Sequence, residues 1–378
     1  MKLGIDNIDR YSSLFVNKRV GLITNPTGTN SSMVSTIDVL KEKVNLVCLF
    51  SPEHGVRGDF QAGVHFDSYV DEESGIIAYS LYTQTKRPTK EMLDTVDMVC
   101  IDIQDVGSRF YTFIYTMAYS MIACSEAKKE FVVFDRPNPI GGNVCEGNIL
   151  DLEYRSFIGY YPIVQRHGMT IGELAQMFNE HFGIGCHLII VPMEGWTRSM
   201  DFNDTSLPWL CPSPNIPTLD TAYLYNATCI FEGTNVSEGR GTTKPFAYIG
   251  APYINQKQLT AVLNDYHLPG VLFTPITFTP TFSKHMGFLC KGVQVHIIDK
   301  TTFEAVKTGW TMLDVIRKLY IKDFKILPPY KEGGKRMLEL NTGCSYIVND
   351  VYTLSQQWEL LNHDSKAFKK DRKPYLLY

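Results

Sequence analysis

Short apolar runs recur through the first half of the chain, at residues 19–25 (RVGLITN), 45–51 (NLVCLFS), 97–104 (DMVCIDIQ), 130–136 (EFVVFDR) and 187–193 (HLIIVPM). They are continuous instead of alternating with polar residues, as expected of parallel strands covered on both faces. Between them, helical spacing of apolar positions appears over 31–43, 88–95, 110–129 and 170–182. The last of these opens with a capping box, Thr170-x-x-Glu173, and stops at Gly183. This strand–helix rhythm predicts an α/β fold with a Rossmann-like, doubly wound, mostly parallel sheet.

The pattern changes after residue 205. SLPWLCPSPNIPT (206–218) holds four prolines, which exclude a helix or a central strand and suit an ordered crossing between domains. A Gly/Asn/Ser-rich stretch follows, FEGTNVSEGRGTTKPF (231–246). Beyond it, GVQVHII (292–298) alternates like a strand, and residues 311–322 carry helical spacing. Two domains are expected: a Rossmann-like catalytic domain over 1–206, and a smaller α+β domain over 207–378 that completes a cleft. A length of 378 residues agrees with two.

Composition narrows the class. Hydrophobic residues are 44% and charged residues 20%, and the formal net charge of -4 argues against a broad grip on nucleic acid or anionic lipid. The basic run Lys369-Lys370-Asp371-Arg372-Lys373 reads as a solvated tail. Nine cysteines without a C-x-x-C pair read as reduced core residues, not as a disulfide frame or zinc site. No apolar stretch is long enough to span a membrane. The N-terminus has no apolar h-region, so the chain as given is expected to be cytoplasmic, or secreted or in the cell envelope if a leader has been removed. The oligomeric state is left open.

In an open parallel sheet, ligands bind beyond the carboxyl ends of the strands. The five runs end respectively in Asn25-Pro26, in Glu53-His54-Gly55 with Arg57, in Gln104-Asp105-Val106-Gly107-Ser108-Arg109, in Asp135-Arg136-Pro137-Asn138, and in Glu194-Gly195-Trp196. Converging on one edge, these loops would form a site. Several members have a structural reading as well. Asn25 can start a turn, Asp105 or Ser108 can cap the following helix, Arg109 can pair with Asp105, Asp135 can hold the RPNP turn, and Tyr111 can be core. Glu53-His54 has the weakest structural excuse, because a turn needs no such pair. His167 fits either a ligand role or a helix entry. In the 231–246 stretch, glycines permit a backbone that presents N–H groups, and Glu232, Glu238 and Arg240 ride on it. Neither a phosphate loop, nor GxGxxG after the first run, nor a G-x-S-x-G elbow is present, so neither a standard nucleotide site nor an α/β-hydrolase is supported.

The ordered set GLITNPTG, LFSPEHG-x-RG, DIQDVGSRFYTF, FDRPNPIGG, EGWTR, PSPNIPT and FEGTNVSEGRGT resembles the exo-β-N-acetylmuramidase family NamZ, glycoside hydrolase family 171, formerly a domain of unknown function. The resemblance implies a Rossmann-like N-terminal domain, a smaller C-terminal domain and a cleft between them. It implies release of N-acetylmuramic acid from the non-reducing end of peptidoglycan fragments, as in cell-wall recycling, without a dinucleotide or other cofactor.

Glycoside hydrolysis usually needs two carboxyl groups flanking the scissile bond. Glu53 is expected to be the general acid, with His54 orienting it or binding a hydroxyl. Glu232 is the candidate for the second carboxylate, with Glu238 from the same loop and Asp105 as rivals, and help from the substrate acetamido group would remove the need for one. The lactyl carboxylate of muramic acid needs a cation, for which Arg57, Arg109 and Arg240 are available. Further substrate-binding candidates are Asn25, Gln104, Tyr111, Asp135, His167, Asn215, Asn235 and Glu238. Two other classes compete. A metal-dependent hydrolase would use His54, His167, Asp105 and Asp135, although no metal-ligand spacing supports a metal site. A non-catalytic peptidoglycan- or sugar-binding protein would explain a cleft but not a poised acid.

Overall fold

The structure is a computed structural model that describes residues 1–58, 67–82 and 85–378, and the elements and contacts are those of the described residues. The larger sheet contains β1 (Arg19–Thr24), β2 (Asn45–Ser51), β3 (Tyr69–Val70), β4 (Ile77–Ser80), β5 (Met98–Asp102), β6 (Glu130–Phe134) and β7 (His187–Val191). Their order is β3-β4-β2-β1-β5-β6-β7. Only β3 runs antiparallel to its neighbour. Without that edge strand the order is that of a doubly wound sheet whose winding reverses between β1 and β5. The five apolar runs are the strands β1, β2, β5, β6 and β7. β3 and β4 escaped the pattern because they are too short to show a period.

Four helices connect these strands: α1 (Thr36–Lys43), α2 (Lys90–Asp94), α3 (Phe113–Glu126) and α4 (Ile171–Glu180). The capping box of α4 forms in both directions: the Glu173 N–H donates to Thr170 Oγ1 at 3.2 Å, and the Thr170 N–H donates to Glu173 Oε2 at 3.0 Å. A 3-10 segment, Gly4–Phe15, packs its apolar residues with α1 against one face of the sheet, around Leu22, Leu49, Val132 and Phe134.

The second half carries α5 (Leu219–Thr228), β8 (Tyr248–Ala251), α6 (Gln256–Asp265), β9 (Val271–Phe278), β10 (Cys290–Ile297), α7 (Ala305–Leu319), α8 (Met337–Thr342) and α9 (Leu354–Asp371). Its three strands form an antiparallel sheet ordered β8-β10-β9. α5 is buried along nearly its whole length, so its sequence lacks the polar stripe that marks a surface helix. The apolar cluster on the other face of the large sheet continues through α3, α4, α5 and α7 into this smaller sheet. The two halves therefore share one uninterrupted core.

The C-terminus corrects one expectation. The basic run is not a free tail, because Arg372 is buried and donates to the carbonyls of His167 at 3.0 Å and Gly142 at 2.8 Å. A few residues on, the Tyr378 hydroxyl donates to Asp135 Oδ2 at 2.8 Å, tying the chain end to the first sheet. Among the described residues, no helix is long and apolar enough to cross a membrane.

Candidate active site

β2 is buried toward its carboxyl end and stops at Ser51 and Pro52. The chain then turns sharply, with the Gly55 N–H donating to the Pro52 carbonyl at 3.1 Å. His54 occupies the third position of this turn at φ 74°, a left-handed conformation that glycine would adopt without strain. Holding a histidine there costs roughly 1–2 kcal/mol. The turn places Glu53 and His54 on the wall of a cleft of about 820 Å³.

The segment after β5 reaches the same cleft. Thr112 is the N-cap of α3, yet its hydroxyl makes no cap bond to the helix and instead donates to Glu53 Oε2 at 2.9 Å. A capping threonine usually satisfies an N–H of its own helix, so this hydroxyl forgoes local stabilisation to hold a carboxylate. The Tyr82 hydroxyl, just past β4, also hydrogen-bonds Glu53. Burial, with the Glu53 charge adding to it, pushes the Tyr82 phenol well above its ordinary value.

The opposite wall comes from the second half of the chain. Glu232 lies in the 3-10 turn Cys229–Gly233 that follows α5. At Gly233 a side chain would meet the Leu338 backbone nitrogen at 2.3 Å, so glycine is what lets α8 pack beside Glu232. Arg240 donates to Glu232 Oε1 through Nε at 3.1 Å and through Nη2. The same guanidinium lies 3.3 Å from Glu238, whose other oxygen is 2.7 Å from Lys284 Nζ. Burial opposes the Arg240 charge, but Glu232 and Glu238 outweigh it and hold the guanidinium protonated more firmly than usual. The 231–246 stretch is thus ordered, with Thr234, Val236, Ser237 and Glu238 buried.

Between the walls lies an aromatic floor. Tyr111 and Tyr225 meet edge to face at 5.7 Å, Tyr225 and Phe246 at 4.8 Å, and Arg240 sits 5.0 Å above the Phe246 ring. The proline-rich crossing contributes Ser213 and Asn215 to the lining. Burial raises the Tyr111 phenol well above the usual range, and a hydrogen bond with Ser213 works the other way.

Of the candidates read from sequence, the structure brings Glu53, His54, Tyr111, Asn215, Glu232, Glu238 and Arg240 to this cleft. The others lie elsewhere, and their partners explain why. Arg57 grips Asp71 through Nε at 2.8 Å and Nη2 at 2.7 Å, and adds Glu73 at 2.9 Å. Arg109 does not pair with Asp105; it is fully buried and donates to the carbonyls of Asn148, Ile163, Asn341 and Thr342. Asn25 accepts from the Thr27 N–H at 3.0 Å and donates to the Pro212 carbonyl at 3.2 Å, so it holds the crossing from below. Gln104 donates to the Asp105 and Pro137 carbonyls.

Asp105 accepts from the Gly107 N–H at 2.7 Å and faces His167 Nε2 at 3.3 Å, both side chains being buried away from the cleft. Asp135 anchors the start of α4 by accepting from Thr170 Oγ1 and the Gly172 N–H, each at 2.8 Å; burial raises its carboxyl to about 7. Asn235 bonds the 323–325 backbone and Tyr253. Glu194 pairs at the surface with Lys2 and Arg10. His54, His167, Asp105 and Asp135 are not assembled as a metal site, and no group of three or more His, Cys, Asp or Glu side chains is gathered around a metal position among the described residues.

Sequence reasoning missed Tyr82, Thr112, Ser213, Tyr225 and Lys284. Tyr82 could have been found by the strand-end rule had β4 been recognised. Thr112 was hidden because the helical spacing runs from residue 110, which puts the cap at Asp105 or Ser108, whereas α3 begins only at Phe113. Lys284 comes from the loop after β9, and no local pattern pointed to it.

Residues 20–220 match the family profile described as Exo-beta-N-acetylmuramidase NamZ, N-terminal, and residues 223–378 match its C-terminal counterpart. The chain belongs to the NamZ family. It is 51% identical to the peptidoglycan beta-N-acetylmuramidase NamZ of Bacillus subtilis (strain 168), over 100% of this chain and 91% of that protein. Two crystal structures of DUF1343 family proteins from Bacteroides fragilis share the fold. One superposes with a TM-score of 0.89 at 38% identity and the other with 0.79 at 30%, each over 100% of this chain and 98% of the other. In this NamZ-family fold the cleft lies where the two matched regions meet, with Glu53 from the first and Glu232 from the second.

Proposed function

We propose that this chain is an exo-acting glycoside hydrolase that releases N-acetylmuramic acid from the non-reducing end of peptidoglycan fragments. The observation that carries the reading is a pair of carboxylates, Glu53 and Glu232, on the walls of one aromatic-floored cleft in a chain of this family. The B. subtilis relative bears the name of that activity.

The two carboxylates have different partners, and that difference supports different roles. Glu53 is held by the hydroxyls of Thr112 and Tyr82. A hydroxyl can donate to a carboxylate or accept from a carboxylic acid, so these partners serve Glu53 with or without its proton. Glu232 is held by Arg240, which only donates and suits only the ionised form. Glu53 is accordingly assigned as general acid, protonating the leaving oxygen. Glu232 acts as the ionised group, supporting the anomeric centre or activating water. The floor offers the sugar ring the small exposed parts of Tyr111 and Tyr225, Phe246 being fully buried beneath Arg240. Asp105, the earlier rival, is occupied by the Gly107 N–H and faces His167, which supports Glu232 in its place.

The test is product analysis with a disaccharide of N-acetylmuramic acid β-linked to N-acetylglucosamine. Release of both monosaccharides is expected, with little cleavage of a disaccharide built from glucosamine alone. Binding without turnover would instead favour a non-catalytic saccharide receptor.

A further inference from the structure

Muramic acid differs from glucosamine by a lactyl ether that carries a carboxylate, so an enzyme selective for it needs a cation near the sugar. The three arginines that the sequence offers are committed. Arg57 holds Asp71 and Glu73, Arg109 holds four backbone carbonyls, and Arg240 holds Glu232 and Glu238. Lys284 is occupied too, by Glu238 and by the carbonyls of Phe231 and Thr234.

Lys86 stands differently. Its Nζ lies 3.3 Å from the centroid of the Tyr82 ring and 5.1 Å from that of Phe157, and both rings line the cleft. The Tyr82 hydroxyl bonds Glu53, so the ammonium is one aromatic ring away from the assigned acid. Its neighbour Arg87 pairs with Glu126 at 2.9 Å, whereas Lys86 makes no ion pair among the described residues. Burial lowers its proton affinity and the Glu53 charge partly restores it. A half-buried ammonium resting on two ring faces, without an ion-paired carboxylate among the described residues, is a site prepared for an anion.

We propose that Lys86, held over Tyr82 and Phe157, is the specificity-determining cation that receives the lactyl carboxylate of the muramoyl residue. This rests on the function proposed above and extends it to a named recognition residue. The C3 ether and the anomeric carbon belong to one ring, so a carboxylate anchored at Lys86 sets the scissile bond toward Glu53. The seated carboxylate also offsets positive charge beside Glu53, contributed by Lys86 and by the amino end of α3.

The experiment compares the wild type with Lys86→Met and Lys86→Arg on two substrates: the 4-nitrophenyl glycoside of N-acetylmuramic acid, and the same glycoside with its lactyl carboxyl converted to the amide. Lys86→Met is expected to raise KM for the acid roughly ten- to hundred-fold, with a smaller change in kcat and little change on the amide. The preference for acid over amide should collapse in Lys86→Met and largely return in Lys86→Arg. Equal losses on acid and amide would make Lys86 a structural prop and overturn the proposal. So would an unchanged acid preference, which would place the carboxylate elsewhere. Failure of the wild type to turn over the acid would instead overturn the functional reading itself, and this proposal with it. Circular dichroism and thermal melts of both variants separate recognition from misfolding, and Lys86→Gln is a second neutral variant should Lys86→Met not fold.

Discussion

Thr112 Oγ1 donates to Glu53 Oε2 at 2.9 Å, joining the N-cap of α3 to the turn after β2. The contact aligns Glu53 from two strand ends that flank β1 in the sheet. Glu53→Gln keeps shape and hydrogen bonding but cannot deliver a proton. Turnover of a muramoyl disaccharide should fall roughly 10²–10⁴-fold. The loss should shrink on a nitrophenyl glycoside, whose leaving group needs less protonation. Circular dichroism should match the wild type, because Glu53 contributes little to the core. Equal losses on both substrates would move Glu53 out of the acid role.

Glu232 is expected to behave in the opposite way. If it supports the anomeric centre or activates water, Glu232→Gln should lower kcat on disaccharide and nitrophenyl glycoside alike, again by about 10²-fold or more. Arg240 would keep Glu238 as its partner, so the variant should fold. Steady-state kinetics on the two substrates decide it. A loss confined to the disaccharide would exchange the two roles.

Arg57 and Asp71 predict an acid-sensitive anchor. The hydrogen bonds from Arg57 are the main reason the Asp71 carboxyl is lowered to about 2 from its ordinary 3.8. The unfolded chain therefore binds this proton more readily than the folded one, so the pair's stabilisation is complete above pH 3.8 and disappears as the pH falls toward 2. Its contribution should be about 1–2 kcal/mol, limited because Arg57 is partly in water. Urea midpoints of wild type and Asp71→Asn at pH 5 and pH 2.5 test this. The variant should be less stable at pH 5 and should show a smaller drop at pH 2.5. Arg57 lies two residues past the turn that carries Glu53 and anchors that segment to Asp71, so Arg57→Met should lower kcat more than it raises KM for the muramoyl substrate.

Arg109 separates a structural arginine from a recognition residue. It bridges the carbonyls of Asn148 and Ile163 to those of Asn341 and Thr342 at the end of α8, wholly inside the protein. Arg109→Met leaves these acceptors without donors and should destabilise the fold by roughly 3–5 kcal/mol. KM of the protein that remains folded should hardly change. A large KM rise at normal thermal stability would return Arg109 to the substrate site.

Much of this protein was determined locally. The strands β1, β2, β5, β6 and β7 announced themselves as unbroken apolar runs because a parallel sheet covered on both faces removes every polar alternation. The turn after β2 stood out because Glu and His occupy places that a mere connector fills with glycine or asparagine. The capping box of α4 and the proline-rich crossing follow from dihedral preferences and backbone donors, which act over a few residues.

Tertiary structure decided which polar residues meet. A strand-end rule gives an edge but not a direction, and five strand ends were read as one site. Two of them deliver the cleft residues, through Glu53 and His54 after β2 and through Tyr111 and Thr112 after β5. Asn25, Gln104 and Asp135 turn instead toward buried backbone N–H and carbonyl groups, which burial leaves without water and which must therefore be satisfied from within. The arginines were sorted in the same way: charge is visible in a sequence, but a partner such as Asp71 for Arg57, or the carbonyls of α8 for Arg109, exists only after folding. Lys86 lacked any local mark, and only the packing of Tyr82 against Phe157 gives its ammonium a place beside the cleft.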